Sequence, residues 1–111
     1  MALPPKGKLV RDLIPEIIES SGKAPITCRV SGPDLIAALR VKAREEVDEL
    51  FEAEHQQLLE EIADVYEVLR ALVACENHTW NEIEEIATDK RIKRGGFAEG
   101  FWLLETQEKP L

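Results

Sequence analysis

Two long segments of the sequence, residues 35–54 and 58–76, repeat apolar residues with the period of an α-helix. The interruption between them, Glu54-His-Gln-Gln57, contains neither glycine nor proline. One continuous helix of about 40 residues would be about 60 Å long, which exceeds the dimensions of a compact domain of this size. The chain is therefore predicted to reverse direction near residue 55 and to pack the two helices as an antiparallel hairpin.

Shorter elements flank this hairpin. A short helix is predicted at about 13–20, with Asp12 as its cap, and a third long helix from Trp80 to about Lys93. Residues 26–30 and 100–105 have the composition of short strands and could pair as a two-stranded ribbon. The predicted fold class is all-α, an antiparallel helical bundle with that ribbon as an addition.

Composition limits the classes of function. The chain has 111 residues, 44% of them apolar, and a net charge of −8 from 22 acidic and 14 basic residues. We therefore expect a single domain over residues 1–111 that is repelled by nucleic acid and by anionic membranes. Cys28 and Cys75 lack the spacing of a metal site, and no segment resembles a signal peptide or a membrane span, so we expect a cytoplasmic protein with reduced thiols.

Four acidic residues are placed symmetrically about residue 55, and each lies within or at the flank of an apolar stripe. They are Glu46, Glu49, Glu61 and Asp64, called the four acids below. Because 49 and 61 are equally distant from 55, as are 46 and 64, a hairpin brings opposing acids to the same height. Ionised carboxylates away from water must be protonated, pair with bases or bind a hard divalent cation, of which Mg²⁺ is the usual choice with phosphate substrates.

The alternative for the four acids is an ion-pair network inside the bundle. Its candidate bases are Lys42, Arg44, Arg70, Lys90 and Arg94. Metal binding is favoured, because buried ion pairs seldom repay their desolvation and a cluster of acids needs several well-placed cations. Glu45 neighbours both Glu49 and Lys42, and is either a fifth ligand or an outer group that orients water.

The end of the third helix is basic. Lys90 and Arg94 are one turn apart on the presumed inward face, where they could bind phosphate, and Gly95-Gly96 would let the backbone approach a ligand closely. Phe97 could offer an aromatic face to a base, or anchor the core. The alternative for the two bases is that they complement the helix dipole.

Four segments in this order resemble one family, the MazG-like all-α nucleoside triphosphate pyrophosphohydrolases, a group that includes phosphoribosyl-ATP pyrophosphohydrolase. The segments are Lys8-Leu-Val-Arg-Asp-Leu-Ile-Pro-Glu-Ile-Ile18, Lys42-x-x-Glu-Glu46-x-x-Glu49, Glu61-x-x-Asp64 and Lys90-x-x-Lys-Arg94-Gly-Gly-Phe97. The resemblance implies Mg²⁺-dependent hydrolysis between the α- and β-phosphates of a nucleotide, with Mn²⁺ as a substitute metal. It also implies that the four acids are the metal ligands and that the protein is a homodimer or homotetramer.

The resemblance also suggests roles for individual residues. Glu45 or Glu49 would orient the attacking water, and Lys90 and Arg94 would bind the leaving pyrophosphate. Only 11 residues, Leu50–Glu60, separate the acid pairs, so recognition of the base is expected from the N-terminal segment, the third helix or a partner subunit. The candidate substrate-binding residues are Lys8, Arg11, Asp12, Lys42, Lys90, Arg94 and Phe97. Three alternatives stay open: phosphoribosyl-ATP as the substrate, a non-catalytic nucleotide- or metal-binding module, and a purely structural bundle.

Overall fold

The computed structural model describes residues 3–111, in which the regular secondary structure is helical and no strand occurs. The helices are α1 (Ile14–Ser20), α2 (Gly32–Glu52), α3 (Leu58–Cys75) and α4 (Trp80–Arg94), with a 3₁₀ turn at His55–Gln57. The chain divides into two compact units, Met1–Trp80 and Asn81–Leu111. None of the helices described has both the length and the apolar character that crossing a membrane requires.

Helices α2 and α3 form the predicted hairpin and pack along each other. Helix α2 ends because Ala53 (φ −67°, ψ 139°) and Glu54 (φ −70°, ψ 157°) adopt extended backbone conformations, and the 3₁₀ turn then leads into α3. The all-α class and the chain reversal near residue 55 are thereby confirmed.

A left-handed residue ends α3. Asn77 has a φ of 63°, a conformation that asparagine tolerates better than most side chains. Its backbone N–H donates to the carbonyl of Ala74 at 3.0 Å, and that of His78 donates to the carbonyl of Val73 at 3.0 Å. This pair of bonds is the Schellman arrangement, which satisfies carbonyls at a helix end and allows α4 to begin at Trp80, as predicted.

The most buried positions lie on α2. Among the described residues, only Ala38, Leu39 and Glu46 are buried, with 9%, 5% and 8% of their surface exposed. A carboxylate therefore shares the best-shielded part of the hairpin with two apolar side chains. Burial of this kind is rare for glutamate without a partner.

Two local predictions were wrong. Asp12 does not cap α1, because the helix begins at Ile14 and Leu13 therefore occupies the N-cap position. Leu13 makes no side-chain hydrogen bond there. The ribbon is absent, since neither 26–30 nor 100–105 forms a strand. Ile26 is fully exposed, and isolated two-stranded ribbons of this length are marginal in water when no apolar surface covers them.

Candidate functional site

Three of the four acids meet between the hairpin helices. Glu46 of α2 and Glu61 and Asp64 of α3 each offer a carboxylate oxygen, and these oxygens lie within 4.8 Å of one another. Glu61 and Asp64 share a face of α3 because they are three residues apart, and the reversal after α2 brings Glu46 to that face. We call these three residues the acid cluster.

Two oxygens of the acid cluster are buried without a hydrogen-bond partner. They are Oε2 of Glu46 and Oε2 of Glu61. Glu46 is only 8% exposed as a residue, so its unpaired oxygen cannot be satisfied by bulk water. A buried acceptor without a donor destabilises a fold by about 1–3 kcal/mol, and more when it is charged. The cluster is therefore open to a cation or a hydrogen-bond donor.

Two basic side chains contact the acid cluster. Lys42 lies one helical turn before Glu46, with its Nζ 3.3 Å from Glu46 Oε1 and 3.7 Å from Glu45 Oε2. Arg11, from the segment that precedes α1, places its Nη2 at 2.7 Å from Asp64 Oδ1. Lys42 and Arg11, two of the predicted substrate-binding bases, thus form ion pairs with the acid cluster.

These two bases do not neutralise the site. Lys42 and Arg11 supply two positive charges, and Lys42 is shared between Glu46 and Glu45. Within residues 3–111, no ion pair within 4.0 Å joins Glu49 or Glu61 to a basic side chain. The ion-pair network considered as an alternative is thus incomplete, and negative charge remains in excess at the site.

Glu49 lies at the edge of the acid cluster. Its side chain is exposed, and it is outside the group of three. Its pKa is nonetheless raised above 4.5, chiefly by the negative charge of Glu46, with repulsion from Glu61 adding to the rise and Lys42 opposing it. Glu49 therefore shares the electrostatic environment of the cluster although water reaches it. Glu45 is half-buried beside Lys42 and has the outer position considered for it.

The remaining predicted substrate-binding residues are exposed. Lys8 and Asp12 lie on the N-terminal segment, where both side chains face solvent. In the second unit Lys90 and Arg94 are exposed, as is Phe97. Arg94 and Phe97 line the same surface depression, so that basic and aromatic character meet there. Their roles stay predictions.

An aromatic cluster was missed by the sequence analysis. The guanidinium of Arg70 lies 5.5 Å from the ring centre of Tyr66 and 5.8 Å from that of Trp80, and the two rings meet edge to face at 5.0 Å. Arg70 Nη1 also donates to the Tyr66 hydroxyl at 2.8 Å. The spacing of four residues between Tyr66 and Arg70 could have predicted that pair, whereas nothing local indicated Trp80. Arg70, one of the bases proposed for the acid network, thus lies over these two rings.

Comparison of the chain with models of protein families, with curated proteins and with solved structures gives no match. The likeness to MazG-like enzymes therefore rests on the four sequence segments alone. What the geometry adds independently is a buried carboxylate with an unpaired oxygen, placed beside two further acids.

Proposed function

We propose that the chain hydrolyses a nucleoside triphosphate between its α- and β-phosphates, giving the monophosphate and pyrophosphate in a Mg²⁺-dependent reaction. The observation that carries the proposal is the buried Glu46 carboxylate, whose Oε2 has no partner and which lies beside Glu61 and Asp64. The sequence resemblance supplies the nucleotide and the bond that is cleaved.

The donor set suits Mg²⁺. All three members of the acid cluster offer oxygen, the atom that hard cations prefer, and Mg²⁺ sites in enzymes commonly combine a few carboxylates with water and substrate phosphates. The unpaired oxygens of Glu46 and Glu61 are those that a cation would satisfy. The excess of negative charge among these carboxylates favours a divalent ion over a monovalent one.

Individual side chains of the protein would have separate roles in the reaction. Bound Mg²⁺ would supply charge neutralisation at the phosphate oxygens and an activated attacking water. Lys42 holds Glu46 in place through its 3.3 Å contact. Glu49, exposed to water at the edge of the acid cluster, would take a proton from the attacking water, with Glu45 as the alternative.

By the sequence resemblance, the basic end of α4 would bind phosphate. Within the described residues, neither Lys90 nor Arg94 forms an ion pair, whereas Lys93 lies 3.0 Å from Asp89. Unpaired bases are free to receive phosphate oxygens. Phe97, fully exposed beside Arg94, offers its ring to the base of the nucleotide.

We propose that the protein is a homodimer or homotetramer in the cytoplasm. The hairpin leaves large apolar side chains in water, among them Phe51, which is 86% exposed, and Leu59, which is 79% exposed. Covering such side chains with a second copy would remove apolar surface from water at about 25 cal/mol per Å². Sedimentation equilibrium of the full chain would distinguish a monomer from either oligomer.

The decisive experiment incubates the full chain with each ribo- and deoxyribonucleoside triphosphate in Mg²⁺ and measures monophosphate and pyrophosphate. Wild-type turnover that is lost in Glu61→Gln and kept in Glu60→Gln supports the proposal. Glu60 is a suitable control because it is an exposed neighbour in the first turn of α3. Turnover that survives Glu61→Gln would remove Glu61 from the mechanism.

The same preparations separate the alternatives. Tight nucleotide binding without cleavage would identify a binding module, and a melting temperature that ignores Mg²⁺ would identify a structural bundle. Phosphoribosyl-ATP is tested by complementing a strain that lacks this step of the histidine pathway. Growth of that strain, without cleavage of any triphosphate, would assign phosphoribosyl-ATP as the substrate.

A further inference from the structure

Arg11 forms an ion pair with Asp64, one of the acids that would bind the proposed cation. Its Nη2 lies 2.7 Å from Asp64 Oδ1, although the two residues are 53 positions apart in the chain. Asp64 belongs to the acid cluster. The contact therefore places the positive charge of Arg11 at the edge of the site that the proposed cation would enter.

This ion pair joins the N-terminal segment to the hairpin over a long stretch of chain. Helix α1 has no close backbone contact with either helix of the hairpin. The carbonyl of Arg11 accepts the backbone N–H of Ile14 at 3.1 Å, so Arg11 lies directly before the first turn of α1.

We propose that Arg11 is a displaceable counter-ion: it neutralises Asp64 in the metal-free chain and leaves when a divalent cation binds to the acid cluster. This inference rests on the proposed metal site. Loading of the cation would thus break the contact between Arg11 and α3 and free a guanidinium for an incoming anion.

The physical basis is competition for one carboxylate. A cation bound to Asp64 takes up the negative charge that attracts Arg11, and its own positive charge repels the guanidinium. The Arg11 side chain is 58% exposed and that of Asp64 is 40% exposed. Exposed ion pairs of this kind are weak, so a divalent ion held by three carboxylates would displace Arg11 readily.

Lys42 does not compete in the same way. The Lys42 and Glu46 side chains are only 18% and 10% exposed, so water screens their attraction less than it screens that of Arg11 and Asp64. Lys42 and Glu46 are also one turn apart on the same helix, so that their contact persists without any long-range docking. Displacement is therefore specific to Arg11, the base that arrives from a distant part of the chain.

The first test measures Mn²⁺ affinity by electron paramagnetic resonance in the full-length wild type, in Arg11→Met and in Arg29→Met. Arg29 is an exposed arginine outside the site, so its replacement controls for the loss of one positive charge. Removal of the competitor is expected to tighten Mn²⁺ binding by about two- to fivefold in Arg11→Met relative to the control variant. Equal affinities in all three proteins would overturn the displacement while leaving the metal site in place. Failure of all three to bind Mn²⁺ would overturn both proposals.

The second test follows the Arg11 side chain directly. In a nitrogen-15 spectrum of the side-chain Nε–H groups, assigned by the signal that disappears in Arg11→Lys, the Arg11 signal is expected to move to the position of a free arginine as Mg²⁺ is added. Its midpoint should match that of metal binding, and the Arg29 signal should stay fixed. An Arg11 signal that is unchanged at saturating Mg²⁺ would show that the ion pair persists and would overturn the inference.

Discussion

Replacing Glu61 with glutamine is expected to stabilise the metal-free chain and to abolish its response to Mg²⁺. Glutamine keeps the shape of the side chain but removes one of three like charges gathered within 4.8 Å. Its amide can also donate a hydrogen bond, which the buried Oε2 of Glu46 lacks. Both changes remove a cost that the wild-type chain carries without a cation.

The size of the gain follows from the distance between the charges. Two like charges 4.8 Å apart repel by about 3.5 kcal/mol at an effective dielectric constant of about 20, and by about 0.9 kcal/mol in bulk water. Lys42 and Arg11 partly offset the charges of Glu46 and Asp64. We therefore expect a net stabilisation of about 1–2 kcal/mol, or a rise in melting temperature of at least about 4 °C for a chain of this length.

The assay is thermal unfolding followed by circular dichroism, in EDTA and again in Mg²⁺. A ligand present at about 100 times its Kd stabilises the native state by about 2.7 kcal/mol, so the wild type should overtake Glu61→Gln when Mg²⁺ is added. Glu60→Gln removes the other acid from the first turn of α3, and it therefore controls for the interaction with the helix dipole. A Glu61→Gln protein that is less stable than wild type in EDTA, or that gains as much as wild type from Mg²⁺, would refute the reasoning.

Three further outcomes are expected. In EDTA, Glu49→Gln should be more stable than wild type above pH 4.5, and the difference should vanish below it. The pKa of Glu49 is raised because Glu46 repels its ionised form and not its protonated form. Urea unfolding at several pH values measures the difference in free energy of unfolding. Lys90→Ala should weaken binding of a non-hydrolysable nucleotide more than binding of Mg²⁺ in calorimetry, with Lys93→Ala as the control, and equal losses would indicate a structural role. Ile62→Glu, which places a charge on a side chain that is 45% exposed, should shift sedimentation towards the monomer, and an unchanged mass would exclude this surface from the interface.

The features that sequence analysis predicted correctly are those encoded locally. Helical periodicity located α2 and α3, and the length of the combined segment required a reversal where the structure has Ala53 and Glu54 in extended conformations. With the reversal known, the positions of Glu46 and Asp64, each nine residues from residue 55, were enough to place them on facing helices. Each of these steps uses spacing within a helix or the length of one connection.

The features that were missed depend on contacts between distant residues or on small rotations. The Arg11–Asp64 ion pair spans 53 positions without any periodic signal. Glu49 lay at the flank of its apolar stripe, where a modest rotation of α2 separates a shielded side chain from an exposed one. The ribbon failed for a related reason, since strand composition at 26–30 has no effect unless a partner and apolar cover are present.

The burial of Glu46 connects the chemistry of the site with the lifetime of the molecule. If the proposed cation binds there, every chain made during magnesium shortage keeps a buried carboxylate oxygen without a partner and unfolds more often. Cellular proteases act on such openings, and a difference of about 1–2 kcal/mol can change abundance several-fold. The supply of magnesium would then set the number of molecules in the cell as well as the rate at which each one works.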